Sequence, residues 1–315
     1  MKMFSGFVAL LRGNMYLSVF LAMVFIGTSG EYPPLNSSQY FALSKLFYET
    51  NGEYWRYPRG GVRWSFSSEA NPCNEGWSGV VCEGLEQVSV VTILNVGLFN
   101  LSGSLSDDIF INMTSLKVLN ASYNNIVGTI PSSTYGLKNL TRLILHDNFF
   151  SGSISTHVSG LSNLYDLGLH YNLLNSTIPS EVGELMFIEI LYLSNNKLTG
   201  EIPSSIGNLL MLGHLSLSFN KLTGTIPHGF SVLIQLQELY LDHNKLSGKL
   251  PSFIGNYENL TDLSVRSNGF TGTLPPGIGS VTSLILFQMN SNRFTGTIPE
   301  SFQHLRNLEY FDVSK

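Results

Sequence analysis

Every twenty-fourth residue from 131 to 299 is a proline, once a serine, and each follows an isoleucine or leucine: Pro131, Ser155, Pro179, Pro203, Pro227, Pro251, Pro275 and Pro299. A fixed period of about 20 to 29 residues, with apolar positions recurring inside it, specifies one supersecondary unit stacked on copies of itself. No unit of that size can bury its apolar side alone, so stability comes from the stack and both ends need covering. Function in such a chain is sought on a surface rather than in a pocket.

One period reads Ile188, Leu191, Leu193, Asn196, Leu198, Gly200, Ile202, Pro203, Ile206, Gly207 and Leu209. Leu191 and Leu193 alternate with Tyr192, the period of two expected of a strand with one face in the core. Asparagine recurs seven residues before the proline slot, at Asn124, Asn148, Asn172, Asn196, Asn220, Asn244, Asn268 and Asn292. A carboxamide there can donate to and accept from the backbone of a bend, so these residues are expected to form a buried, self-satisfying ladder. Glycine three residues before the slot, as at Gly200, supplies backbone freedom for a turn. Proline then holds an extended return segment that needs no donor.

These residues resemble the plant-type leucine-rich repeat, L-x-x-L-x-L-x-x-N-x-L-x-G-x-I-P, over residues 91–315. The resemblance implies an α/β repeat solenoid: a right-handed, curved superhelix with a parallel concave β-sheet of about ten strands and a helical, disulfide-containing amino-terminal cap. On this reading residues 31–90 are the cap, and residues 91–315 hold about nine repeats of 24 residues and a partial tenth. The tenth begins with Leu308, Phe311 and Val313, and the chain stops one residue before the asparagine that the register predicts. That reads as a carboxyl-terminally truncated chain without a second cap, its sheet edge open to self-association.

Residues 1–30 carry Lys2 and Arg12, then the apolar run 16–27, then Thr28, Ser29 and Gly30. Basic, apolar and small in that order is a secretory signal, with an uncleaved anchor as the alternative; the run is well short of the roughly 20 residues that span a bilayer. Ser38 is expected to cap a helix with Leu43, Leu46 and Phe47 on its apolar side. Cys73 and Cys82, the only cysteines, bracket Trp77, Gly79 and Val80 in a pattern resembling the plant-type cap. Behind a signal, such a pair is most simply one disulfide. Sequons at Asn36, Asn100, Asn112, Asn120, Asn139, Asn175 and Asn259 are glycosylation candidates, available only to an exported chain. A glycan on Asn120, on the sheet face, would push a ligand towards later repeats.

Charged residues are 12% of the chain and the net charge is −5, which argues against a nucleic-acid partner. The metalloprotease, phosphate-loop, nucleophile-elbow and dinucleotide motifs are absent from the sequence. No catalytic residue or cofactor is therefore expected, and a kinase would lie only beyond Lys315. The side chains between the buried leucines are expected to look outward and bind a ligand. They include Arg142, His146, Asp147, Tyr165, Asp166, His170, Tyr171, Glu189, Tyr192, His214, Phe219, Glu238, Tyr240, Asp242, His243, Asp262 and Arg266. His146 and His170 sit at equivalent positions of adjacent repeats, but no third ligand is evident and no metal is assigned. Histidine on this face predicts binding that changes between about pH 5 and 7.5.

The expectation is a secreted or cell-surface recognition module, in signalling or defence, that binds a peptide, protein or glycan on its concave face. As the resemblance implies, a co-receptor would join if a membrane helix follows. Two other readings stand beside it. One is a secreted inhibitor of cell-wall hydrolases, similar to polygalacturonase inhibitors, although their usual carboxyl-terminal cysteine pair is missing here. The other is the ectodomain of a receptor kinase.

Overall fold

The computed structural model describes residues 34–67, 70–85 and 88–313. The signal segment assigned to residues 1–30 lies outside them. No helix among the described residues is long and apolar enough to cross a membrane.

Each 24-residue period closes into one coil. In it a three-residue strand holds one inward leucine or phenylalanine between two residues that look outward, as Leu191 stands between Ile190 and Tyr192, and the asparagine turn follows it. In register, Leu143, Leu167, Leu191, Leu215, Leu239, Leu263 and Phe287 stack as one continuous core row. Leu198, Ile202, Ile206, Leu209 and Leu212 fill the rest of one coil, each 3% exposed or less. Among the described residues, eleven strands make one sheet in chain order. They are β1 (Val80–Leu85), β2 (Val88–Asn95), β3 (Val118–Asn120), β4 (Arg142–Ile144), β5 (Asp166–Gly168) and β6 (Ile190–Tyr192). The series continues with β7 (His214–Ser216), β8 (Glu238–Tyr240), β9 (Asp262–Ser264), β10 (Leu286–Gln288) and β11 (Tyr310–Asp312). From β2 onward every pairing is parallel; β1, from the cap, pairs antiparallel with β2. The sheet lines the concave side of a right-handed, curved leucine-rich repeat solenoid.

The asparagines bond as a ladder. The side-chain amide of Asn172 reaches the carbonyl oxygens of Leu145, Leu169 and His170 at 3.0, 3.2 and 3.3 Å, and its oxygen accepts from the Phe150 N–H at 2.9 Å. One side chain thus ties two adjacent coils together. Asn124, Asn148, Asn172 and Asn220 are buried, whereas Asn196, Asn244, Asn268 and Asn292 are only half-buried, a departure from the uniformly buried ladder expected.

The prolines are extended, as their spacing implies, with ψ between 128° and 145°, but the segment they hold is the entry to a helix. They stand immediately before short 3-10 helices such as Ser180–Glu184 and Ser204–Asn208. Their φ values, between −57° and −70°, are those the pyrrolidine ring imposes. Ser155 achieves the same entry by other means, its hydroxyl accepting from the His157 N–H at 3.1 Å. Neighbouring 3-10 helices approach so closely that a Cβ at Gly207 would strike the Gly229 carbonyl. At residue 176 serine occupies the glycine slot at φ 69°, and the short parallel strands opposite the concave sheet break there, after Leu173–Leu174.

In the cap, helix α1 (Ser37–Glu49) is capped by Asn36, whose side chain accepts from the Ser38 N–H at 3.0 Å. The cap is therefore two residues earlier than expected, because the carboxamide oxygen takes the role assigned to Ser38. Gln39, 3% exposed, fastens this helix to the first coil by accepting from the Val91 N–H at 2.8 Å. Trp64 stacks on Trp77 at 5.4 Å, and Trp55 meets Trp64 edge-on at 4.8 Å. Cys73 and Cys82 form the disulfide.

Two stability outcomes follow from this bonding. Asn172→Ala should lose about 3 kcal/mol or more in urea unfolding, since buried backbone groups left unpaired cost about 1–3 kcal/mol each. Asn292→Ala should lose clearly less, and equal losses would contradict the ladder's graded burial. Cys73→Ser with Cys82→Ser, opening a loop with a sequence separation of 9, should cost about 2–3 kcal/mol; an unchanged midpoint would make the bridge dispensable.

Candidate functional site

Strands held in register turn the sequence period into columns of side chains across the concave face. One column runs Arg142, Asp166, Ile190, His214, Glu238, Asp262. The next runs Ile144, Gly168, Tyr192, Ser216, Tyr240, Ser264. Beyond the strands a third column holds Ser122, His146, His170, Ser194, Ser218, Asp242 and Arg266, at the same period. The fourth holds Tyr123, Asp147, Tyr171, Asn195, Phe219, His243, Ser267 and Ser291, all with φ between 52° and 56°. That left-handed conformation costs a non-glycine residue about 1 kcal/mol. Bonds to the next coil hold it: the Asp147 N–H donates to the His170 carbonyl at 3.1 Å and the Tyr171 N–H to the Ser194 carbonyl at 3.0 Å.

Much of the charge on this face is paired within it. Arg142 donates to Asp166 Oδ2 through Nε at 3.1 Å and Nη2 at 2.9 Å, and its guanidinium lies 5.8 Å from the Tyr165 ring centre. Tyr192 reaches past one coil to donate to Glu238 Oε2 at 3.1 Å, and His214 Nδ1 lies 3.2 Å from that oxygen. Tyr240 donates to Asp262 Oδ1 at 3.1 Å. Ser218 donates to Asp242 Oδ1 at 2.5 Å, while Arg266 Nε is 3.8 Å from Asp242 Oδ2.

For three of the acids these pairs correct the expectation of presentation to a ligand. Asp166, Asp242 and Asp262 are 5%, 6% and 3% exposed. Burial pushes the Asp166 carboxyl above its usual range, with Arg142 pulling it part of the way back. Asp242, expected among the contact residues, instead braces Ser218 and Arg266 from below. Of the residues expected to look outward, Tyr171 and Phe219, 51% and 43% exposed, and Glu189 stand clear. Tyr123, at 49%, joins them; its spacing of 24 residues from Asp147 places it in the fourth column, although the outward residues singled out above omit it.

The rings gather into two clusters. His146 stacks on His170 at 4.2 Å, with Tyr123 edge-on to His146 at 5.0 Å and Tyr192 edge-on to His170 at 5.7 Å. Phe219 stacks on His243 at 4.1 Å, close to Asp242 and Arg266. Among the described residues, His146, Asp147 and His170 are the three whose donor atoms converge as metal ligands could, within 4.8 Å of one another. Asp147 is the third donor that sequence spacing did not reveal. Burial, aided by His146, takes His170 down to about 3, and burial with Arg266 lowers His243. His170 therefore stays neutral throughout the window from about pH 5 to 7.5 in which histidine titration was expected to modulate binding.

Of the sequon asparagines, Asn112, Asn139, Asn175 and Asn259 are exposed, while Asn36, Asn100 and Asn120 are half-buried. Asn120 lies on the sheet face with its oxygen held by the Ser122 N–H at 3.0 Å.

Family profiles described as leucine rich repeat match residues 188–246 and residues 115–137, 259–281 and 283–305. The chain is 51% identical over 49 residues to Receptor-like protein 52 of Arabidopsis thaliana, a stretch that is 16% of this chain and 6% of that protein. It is similar to the crystal structure of PEPR1-AtPEP1, with a TM-score of 0.76 and 32% identity over 89% of this chain and 42% of that one. It is also similar to the Arabidopsis receptor kinase HAESA in complex with the peptide hormone IDA and the co-receptor SERK1. There the TM-score is 0.64 and the identity 26%, over 89% of this chain and 53% of that one. The chain thus spans a small part of the curated relative and about half or less of the solved chains.

The buried His170 makes stability depend on pH. Its folded value of about 3 lies below the unfolded value of about 6.5, so the unfolded state binds the extra proton and stability falls as pH drops from about 6.5 towards 3. Between about pH 7 and 4.5, the loss measured by urea unfolding should be on the order of 2 kcal/mol larger for the native chain than for His170→Gln. Equal losses would place His170 in a solvated setting.

Proposed function

Since the chain is a plant-type leucine-rich repeat protein, we propose that it is an extracellular recognition module whose concave face binds an extended peptide. The observation that carries this reading is the run of aromatic and charged side chains in fixed register from β4 to β9, with Tyr171 and Phe219 standing 51% and 43% exposed at its rim. Six strands at about 4.8 Å span about 24 Å, the length of about seven extended residues. Tyrosine brings contact area and a polar tip together.

The face is also prepared for binding before a ligand arrives. Arg142, Tyr192, Ser218 and Tyr240 are already bonded to acids of the same face, so little side-chain freedom remains to be lost. Carboxylates engaged in this way suit the holding of a shape better than the transfer of a proton. The disulfide supports an oxidising, extracellular setting. Similarity to PEPR1-AtPEP1 and to HAESA with IDA and SERK1 supports a peptide as ligand and a co-receptor as second partner.

Panning a displayed library of random peptides on the purified protein tests the reading. Selected peptides should lose about tenfold in affinity to Tyr192→Ala and to Tyr240→Ala. Unchanged affinity in both variants would move the contact surface off the concave face.

A further inference from the structure

The repeat itself sets two histidines against each other. His146 and His170 fill the same slot of adjacent coils, ring centres 4.2 Å apart and planes 17° from parallel. Asp147 follows in the left-handed slot at φ 54°, which brings its Oδ2 to 2.9 Å from His146 Nδ1. His170 Nδ1 is shielded from solvent and has no hydrogen-bond partner. The hydrogen bond between His146 and Asp147 does nothing for that nitrogen, so the cluster holds one more donor atom than its internal bonding uses.

We propose that His146, Asp147 and His170 bind a divalent transition metal of the zinc class on the concave face. Two imidazoles and one carboxylate are a familiar donor set for zinc that keeps a further position for water or a ligand. One ring nitrogen from each histidine and one oxygen of Asp147 already lie within 4.8 Å of one another. Ligand atoms at about 2.0–2.2 Å from a tetrahedral ion sit about 3.4 Å apart, so the group must contract by roughly 1.5 Å. Rotation of two imidazole rings about their side-chain bonds supplies that without moving backbone, and it unstacks the rings so that each lone pair can point at a common centre.

Gly168 gives this motion its space. A Cβ at that position would lie 3.5 Å from Ile144 Cδ1, 3.6 Å from His146 Cδ2 and 3.9 Å from His170 Cε1; with glycine there, the second column carries no side chain beside the two rings. A three-ligand set of this kind leaves a further position for water or for a carboxylate or imidazole of a bound ligand. Metal binding by these three side chains requires no peptide, so its test is independent of the peptide reading.

Calorimetric titration of the purified chain with Zn²⁺ alone should show one ion bound per chain, accompanied by a rise in Tm. Asp147→Asn, which preserves side-chain shape at a partly exposed position, and His170→Ala should each weaken binding by at least about tenfold. His228→Ala, at an exposed residue that begins a 3-10 helix away from the cluster, should leave it unchanged. Thermal melts of each variant without metal check folding, and Asp147→Asn decides the matter if His170→Ala is unstable. Absence of saturable binding, undiminished binding in Asp147→Asn, or an equal loss in His228→Ala would overturn the proposal.

Discussion

In each coil one asparagine carboxamide binds backbone groups of its own turn and of the preceding coil, as Asn172 does with Leu169 and His170 and with Leu145 and Phe150. Buried peptide groups need partners, and a bend between two short strands cannot supply them all from its own backbone. Because the same carboxamide serves two adjacent coils, the position of one coil dictates the position of the next. The leucine rows supply most of the favourable energy, but apolar contact is not directional. The asparagines hold the rows in a single register, and the columns of the concave face exist only because of that register.

The 24-residue period made the strand order, the core rows and the identity of the outward positions legible before any coordinates. What it left hidden involves distances between coils. Tyr192 and Glu238 are 46 residues apart, and nothing in the spacing of either predicts that a phenol will lean past an intervening coil. The burial of Asp166, Asp242 and Asp262 likewise arises from neighbours that overlie them. Asp147 escaped notice as a partner of the two histidines because the backbone turns left-handed at that residue, swinging its side chain back towards them. At the cap, Asn36 and Ser38 are both competent caps, so composition alone could not choose between them.

The pairing on the concave face has two consequences that pull in opposite directions. Arg142 with Asp166, and Tyr240 with Asp262, hold side chains in place and so favour a defined contact surface. The same pairs consume charge that would otherwise attract a ligand over long range. Recognition on such a face depends on shape and on exposed rings at the rim more than on net charge.

The fourth column extends that thought. Tyrosine, aspartate, asparagine, phenylalanine, histidine and serine all occupy it, yet φ stays between 52° and 56° throughout. The scaffold is indifferent to which letter is written there, because main-chain bonds to the following coil impose the conformation. A lineage carrying this architecture can rewrite those eight letters one at a time, acquiring new preferences while the chain continues to fold as before.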